Sequence, residues 1–261
     1  MRYMRLYIYF LQFSFSKAFN FRVDFFFRIF MDIIFYTIQF LFFKVLYLHT
    51  NTLAGWNIEQ MSLFIAAYIF VDALNMTIFS TNCWWLPIYI NRGDLDYYLT
   101  KPVSTLFFLS FKEFAANSFV NLLIATGLLV TMLTQYSVEL SAWKIFIFII
   151  LLINGAAIYY LTHLLFLLSV FWTGSPRGFG DLFFSAAPIV ERPDKIFKGS
   201  IRFVFLYIMP FSLMASYPAR YLMEENANSI IITIICITTA LFSVVQIVWR
   251  RGLRVYSSAS S

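Results

Sequence analysis

The sequence predicts an all-α polytopic membrane protein of about six transmembrane helices, on three observations. Charged residues make up 12% of the chain and hydrophobic ones 61%, where soluble domains carry about 25% charged residues. The apolar residues form uninterrupted runs of about 18 or more, enough to cross a hydrocarbon core. The basic residues collect in the connections, as the positive-inside rule expects. The net charge of +6 therefore points to membrane orientation and not to nucleic acid. Residues 1–261 read as a single transmembrane domain without an attached soluble catalytic domain. Lys17, Asn20, Arg22 and Asp24 follow the first apolar run with no small-x-small cleavage pattern, so that run is not read as a signal peptide.

Residues 1–24 are expected to form an amphipathic interfacial helix. Gln12, Ser16, Asn20, Asp24 and Arg28 recur every four residues as one polar stripe. Arg2, Arg5, Lys17 and Arg22 supply its cations, and Phe10, Leu11, Phe13, Phe15, Phe19 and Phe21 cover much of the rest. Spans follow at residues 25–47 and 59–82, carrying Asp32 and Asp72, which are costly in lipid and should face protein or the interface. Asn82, Trp84 and Trp85 read as an interfacial belt. Further spans are placed at 106–133, with Lys112 and Glu113 in snorkelling reach of the surface, and at 145–172. His163 in the latter reads as a satisfied interior histidine. Residues 173–202 read as the longest polar connection, broken by Gly174, Pro176, Gly178, Gly180, Pro188 and Pro193. Residues 203–228 read as a re-entrant segment, because Pro210 interrupts a short apolar run and Pro218 follows Tyr217. A last span at 230–249 ends at Arg250, Arg251 and Arg254.

A charged island at residues 91–102 separates the second and third spans. Gly93 permits a sharp bend, and Pro102 disfavours helix beyond Lys101. A helix of about two turns from Asp94 to Lys101 fits between them. Leu95, Tyr98 and Leu99 would share one face of it, and Asp94 and Asp96 would lie near its N-terminus, where the dipole favours them. Arg92 and Lys101 flank the acids.

With both termini on the cytoplasmic side, Arg2, Arg5, Lys17, Arg22, Arg92, Lys101, Arg177, Arg192, Lys195, Lys198, Arg202, Arg250, Arg251 and Arg254 fall inside. The outside then keeps mainly Arg220, with Lys44 and Lys144 at span ends.

Catalytic patterns are missing. The sequence has no Gly-x-x-x-x-Gly-Lys-Ser/Thr loop, no His-Glu-x-x-His and no Gly-x-Ser-x-Gly. Cys83 and Cys236 follow no metal or redox spacing and read as unpaired thiols. No metal site, catalytic residue or bound cofactor is expected.

Arg92–Gly93–Asp94–Leu95–Asp96, followed by Leu99, Lys101 and Pro102, resembles a signature of the ABC (ATP-binding cassette) type-2 export permeases. Phe21–Arg22–Val23–Asp24–Phe25 resembles that family's lead-in to the first span. Pro210 and Pro218 around Ser216–Tyr217 resemble its proline-marked segment. Trp249, Gly252–Leu253–Arg254 and Tyr256–Ser257–Ser258–Ala259–Ser260 resemble its tail. Asn91 stands where a basic residue is usual, and Lys101 replaces an arginine, giving a point charge in place of a planar fork.

The resemblance implies a permease that pairs with a second permease, identical or homologous, and with two cytosolic ATPase subunits that hold the ATP and Mg. The helix at 94–101 would be the coupling helix, with Leu95, Tyr98 and Leu99 as its hydrophobic contacts. The helix at 1–24 would lie along the inner leaflet of the cell membrane, and 203–228 would be the outward-side re-entrant element. Phenylalanine richness, at 33 residues, suggests an apolar or amphipathic cargo. An ATP-independent channel or secondary transporter is the alternative. It would call for broken or charged helices in corresponding positions of two repeats, and none is visible.

Overall fold

The computed structural model describes residues 2–18, 22–175, 177–224 and 228–257, without the side chains of Arg2, Lys17, Ala18, Arg22 and Asp24. Of the sequence readings, Phe19–Phe21, Pro176, Glu225 and Ser258–Ser260 lie outside the described residues. Helix α1 (Arg2–Ala18) is followed by α2 (Arg22–Tyr47), α3 (Ile58–Asn75), α4 (Thr81–Arg92), α5 (Leu95–Leu99) and α6 (Thr105–Phe111). Next come α7 (Ala116–Thr134), α8 (Ala142–Leu168), α9 (Val170–Thr173) and α10 (Gly178–Ala186). The chain ends with α11 (Gly199–Phe203), α12 (Ser216–Met223) and α13 (Asn228–Val255). The fold is all-α. Among the described residues, five helical stretches are long and apolar enough to cross a membrane: Phe25–Tyr47, Ile58–Arg92, Ala116–Thr134, Ala142–Thr173 and Asn228–Val255.

The described part of the first helix is Arg2–Ala18, and Arg22 and Asp24 belong to α2, with residues 19–21 between them outside the described residues. One face of α1 is fixed by aromatic contacts. Tyr3, Tyr7 and Phe10 meet Phe107, Phe111 and Phe108 edge-on at 4.8, 6.0 and 5.1 Å. The Ser14 hydroxyl, one turn further, accepts from the Phe114 amide at 3.0 Å.

The second span does not end at residue 82. A π-helical turn at Met76–Ser80 joins α3 to α4, so the stretch runs on to Arg92. Asn82 is accordingly a buried clamp and not part of an interfacial belt. Its amide donates to the carbonyls of Ile78 and Glu113, and its oxygen accepts from the Glu113 amide. The wide turn leaves the Thr77 carbonyl free to accept from Ala115 N–H at 2.9 Å. Those bonds stitch the break between α6 and α7. Backbone groups at a helix break in an apolar setting need such partners.

α8 and α13 run side by side in the same direction. Thr238 donates to Asn154 at 2.8 Å, and Gly252 faces the Phe171 ring so closely that a Cβ would collide with it. The ends of α4, α9 and α13 therefore meet at one end of the bundle, with α1 and α6. Gly174 is there, and Asp194 and Lys195 already lie beside Ser216, Arg220 and Glu224 towards the other end, so the described residues from α10 to α12 make a sixth passage in short pieces. α10 begins it, laying Phe183 on His163 of α8 at 4.4 Å. At Gly155 the backbone of Met214 comes so close that no side chain fits between.

This corrects two readings. Residues 173–202, read as a polar connection, do not stay at one end of the bundle, and α10 within them packs on α8. Nor do Arg192, Lys195, Lys198 and Arg202 share an end with the island. Lys195 pairs with Glu224 at 3.1 Å, and Arg202 and Arg220 both reach the Asp194 carboxylate, at 3.1 and 2.9 Å. Arg192 lies over the ring of Phe42, late in α2. Lys198 lies in the chain between Lys195 and Arg202. All four sit towards the end where α13 begins. Asp194 is 0% exposed, and Ser216 also donates to it at 2.7 Å. Pro218 falls within the first turn of α12, where its missing N–H is not needed. The helix thus starts at Ser216, inside the segment read at 203–228.

Asp194→Asn leaves two guanidinium groups facing a neutral amide. We expect it to lose about 3–5 kcal/mol of stability, read as a fall in melting temperature. Burial would raise Glu224, but hydrogen bonds from Arg220 and Lys195 outweigh it and hold the carboxyl below its ordinary value of 4.5. That contribution is present above pH 4.5 and is lost as pH falls through the lower folded value. A melting curve flat from pH 7 to 5 and falling below about pH 4 is the expected profile. Separately, single cysteines at Lys198 and Leu99 should react with an impermeant thiol reagent from opposite sides of a sealed vesicle.

A candidate coupling face

The island at 91–102 is built from the ends of the long helices. Gly93 adopts φ +82°, a left-handed conformation open to glycine, and turns the chain out of α4. Helix α5 that follows has five residues, too few to be stable alone. Asp94 stands at its start without a side-chain cap, and Asp96 lies in its first turn. What holds it is packing. Leu95 is 0% exposed and belongs to the core. Tyr98 stacks towards Tyr89 of α4 at 5.3 Å and Phe108 of α6 at 5.6 Å.

The apolar face drawn from the sequence is therefore divided. Leu95 and Tyr98 face the bundle and are not available as outward contacts. Leu99 is 40% exposed and Tyr97, passed over in the sequence, is 65% exposed. Arg92, Asp94 and Pro102 are exposed beside them, while Gly93, Asp96 and Lys101 are half-buried. Spacing identified which residues share a face, but spacing cannot say which way a face points.

Lys112, read from the sequence as a snorkelling residue, occupies the junction. Its ammonium donates to the hydroxyls of Tyr89 and Tyr98 at 2.7 and 3.1 Å. It also lies 4.1 Å from the centre of the Tyr89 ring. Burial alone would lower its pKa; the two phenol oxygens more than compensate and raise it, so it stays charged. One cation thus ties α4, α5 and the end of α6 together.

The other side of the island is tied as well. Asn91 donates to the Gly174 carbonyl at the end of α9. Phe171 packs against Trp249 at 5.7 Å and Tyr256 at 6.2 Å. The Tyr256 hydroxyl is enclosed, with no hydrogen bond of ordinary geometry. Burial, then the neighbouring Asp96 carboxylate, raises its pKa. The Trp249–Gly252–Tyr256 pattern is a clamp that brings the end of α13 onto α9 and the island.

A family model described as an ABC-2 family transporter protein matches residues 33–260. The chain belongs to that family. No curated protein and no solved structure matches it. This ABC-2 chain is the membrane permease component of an ABC transporter, and the family implies association with an ABC ATPase and a membrane.

The other sequence-singled residues of this ABC-2 permease fall elsewhere. Arg5 is exposed on α1, and the side chains of Arg2, Lys17, Arg22 and Asp24 lie outside the described residues. Pro210, Tyr217 and Pro218 are buried in the sixth passage, far from the island in sequence and packed on α3 and α8. Asp72, unpaired in the sequence reading, lies within electrostatic reach of both Asp32 and Glu191. Asn121 donates to Asp32, and Gln39 and Tyr68 donate to Glu191. His163 is not satisfied as expected: its Nε2 has no hydrogen-bond partner among the described residues, and ring stacking holds it. Among the described residues no cluster of His, Cys, Asp or Glu could hold a metal, and both cysteines are free.

If Lys112 positions α5, Lys112→Met should leave the fold and the amount of protein in membranes near normal. It should cut transport coupled to the ATPase at least tenfold. Lys112→Arg, which keeps a cation between the two tyrosines, should restore most of it.

Proposed function

We propose that this permease belongs to an exporter driven by a separate pair of cytosolic ATPase subunits, and that α5 receives their stroke. The observation that carries this reading is the division of α5. Tyr97 and Leu99 of α5, with Arg92 and Asp94 just before it, face outward on an island whose inner side is bound to the ends of α4, α6, α9 and α13. A push on that small outer surface reaches several long helices without passing through a flexible loop. ATP and Mg bind the partner subunits, and none of this chain's residues takes part in hydrolysis. The island end faces the cytoplasm at the inner membrane, and both termini lie on that side. Residues 203–228 serve as the re-entrant element at the far side.

ATP shifts the population of inward- and outward-open arrangements only by as much as it favours one of them, several kcal/mol for a nearly complete switch. A second permease, identical or homologous, completes the pathway. α2 leaves Phe26, Phe27, Phe30, Ile38 and Leu41 exposed, apolar surface that lipid or such a partner would cover. The cargo is apolar or amphipathic, in keeping with a chain that carries 33 phenylalanines.

Leu99→Asp tests the reading without touching the core, because Leu99 is a surface residue and Leu95 is not. The variant should insert normally yet retain at most about a tenth of the co-purifying ATPase. Its stimulation of ATP hydrolysis in lipid should fall in proportion. A fully retained complex with unchanged transport would remove α5 from the pathway of energy transfer.

A further inference from the structure

Between α1 and the segment joining α5 to α6 lies an open groove of about 550 Å³. Two cations stand at it, Arg5 from α1 and Lys101 from the end of the island, and Leu6, Tyr9, Val103 and Phe108 line the remainder. Among the described residues no carboxylate pairs with either cation. The Lys101 ammonium rests over the Tyr97 ring at 3.9 Å, with Phe108 at 5.5 Å, so it is held in place but not neutralised.

The shape adds to the charge. Arg5, Tyr9 and Phe13 follow one another at four-residue spacing along one face of α1. That makes a strip about 12 Å long, with a cation at one end and aromatic rings beyond it. Tyr9 and Phe13 are 61% and 68% exposed. A small soluble anion would use the cations and leave the strip bare. An acidic peptide would cover the rings only if it also carried apolar side chains at matching spacing. An anion attached to a hydrocarbon chain uses both.

We propose that this groove binds an anionic phospholipid of the leaflet at the island end. The phosphate sits between Arg5 and Lys101, and an acyl chain lies along Leu6, Tyr9 and Phe13. Such a lipid bridges α1 to the residues that follow α5. Its binding stands independently of the proposed function. Only its consequence, a stiffer coupling helix and ATPase coupling that depends on anionic lipid, rests on that reading.

The test uses the full-length permease alone in detergent, with no ATPase present. Native mass spectrometry and thermal melting are read with added phosphatidylglycerol, with phosphatidylcholine of the same chains, and with glycerol 3-phosphate. The wild type should retain phosphatidylglycerol and melt higher with it, and should respond to neither of the others. Arg5→Gln with Lys101→Gln should weaken retention by about tenfold or more. Arg250→Gln with Arg251→Gln, cations at the same end, should leave it unchanged. If the double variant folds poorly, the two single variants are read instead, each showing a partial loss. Equal retention by the Arg5/Lys101 variants, or an equal response to phosphatidylcholine, overturns the site. An equal response to glycerol 3-phosphate makes it a free-phosphate site and overturns the lipid. A failure here leaves the Leu99 experiment untouched, and a failure there leaves this site standing.

Discussion

A five-residue helix at a membrane surface persists only if something else pins it, and here the pin is Lys112 beneath Tyr98, with Leu95 sunk beside it. Isolated helices of that length do not form in water. The pinning groups come from three parts of the chain: Tyr89 and Asn91 from the end of α4, the latter reaching α9, Lys112 from the junction after α6, and Tyr256 from the end of α13. The island is thus a knot where helix ends converge. That accounts for a glycine at position 93, since only a left-handed turn there returns the chain in time to be caught. It also accounts for the aromatic content around Lys112. Tyrosine supplies both a ring face and a hydroxyl, so one buried cation is satisfied without a buried carboxylate at hydrogen-bond distance.

The interruptions in the long helices follow the same economy of partners. The π-helical turn at Met76–Ser80 and the break at residues 112–115 lie opposite each other, and each satisfies the other's backbone. Asn82 completes the exchange with both sides of its amide. In hydrocarbon a lone break would leave carbonyls and amides exposed at a cost of several kcal/mol each. Two breaks placed side by side avoid most of that cost. The second of them, at residues 112–115, lies directly behind α5, where Lys112 meets Tyr98.

The long helices were readable because length and apolarity are properties of single segments. Residues 25–47 needed nothing beyond their own composition. The family signature at 91–102 was readable too, since glycine, the paired acids and proline sit at fixed offsets. The sixth passage was not. α10 has nine residues, and its neighbours are shorter turns broken by Pro188, Pro193 and Pro210. No window there looks like a span, and the charges of residues 191–202 look like a loop. They are tolerated because Asp194 gathers Arg202, Arg220 and Ser216 around itself, the last two from more than twenty residues away, which no local pattern encodes. Lys112 was missed for a related reason. A lysine near a span end reads as a snorkel, and its two tyrosine partners arrive from other helices.

Moving Arg192, Lys195, Lys198 and Arg202 to the far end changes the orientation argument without reversing it. The far end now holds several cations, yet Lys195, Arg202 and Arg220 share the carboxylates of Asp194 and Glu224 and add little net charge. At the island end Arg250, Arg251 and Arg254 close α13, Arg177 opens α10, and Arg5, Arg92 and Lys101 line the surface, with no ion pair among the described residues to offset any of them. Uncompensated cations at span ends are the ones an inner leaflet with negative surface potential holds in place. The unpaired charge of Arg5 and Lys101, wasteful in a soluble protein, is what the proposed orientation asks of the island end.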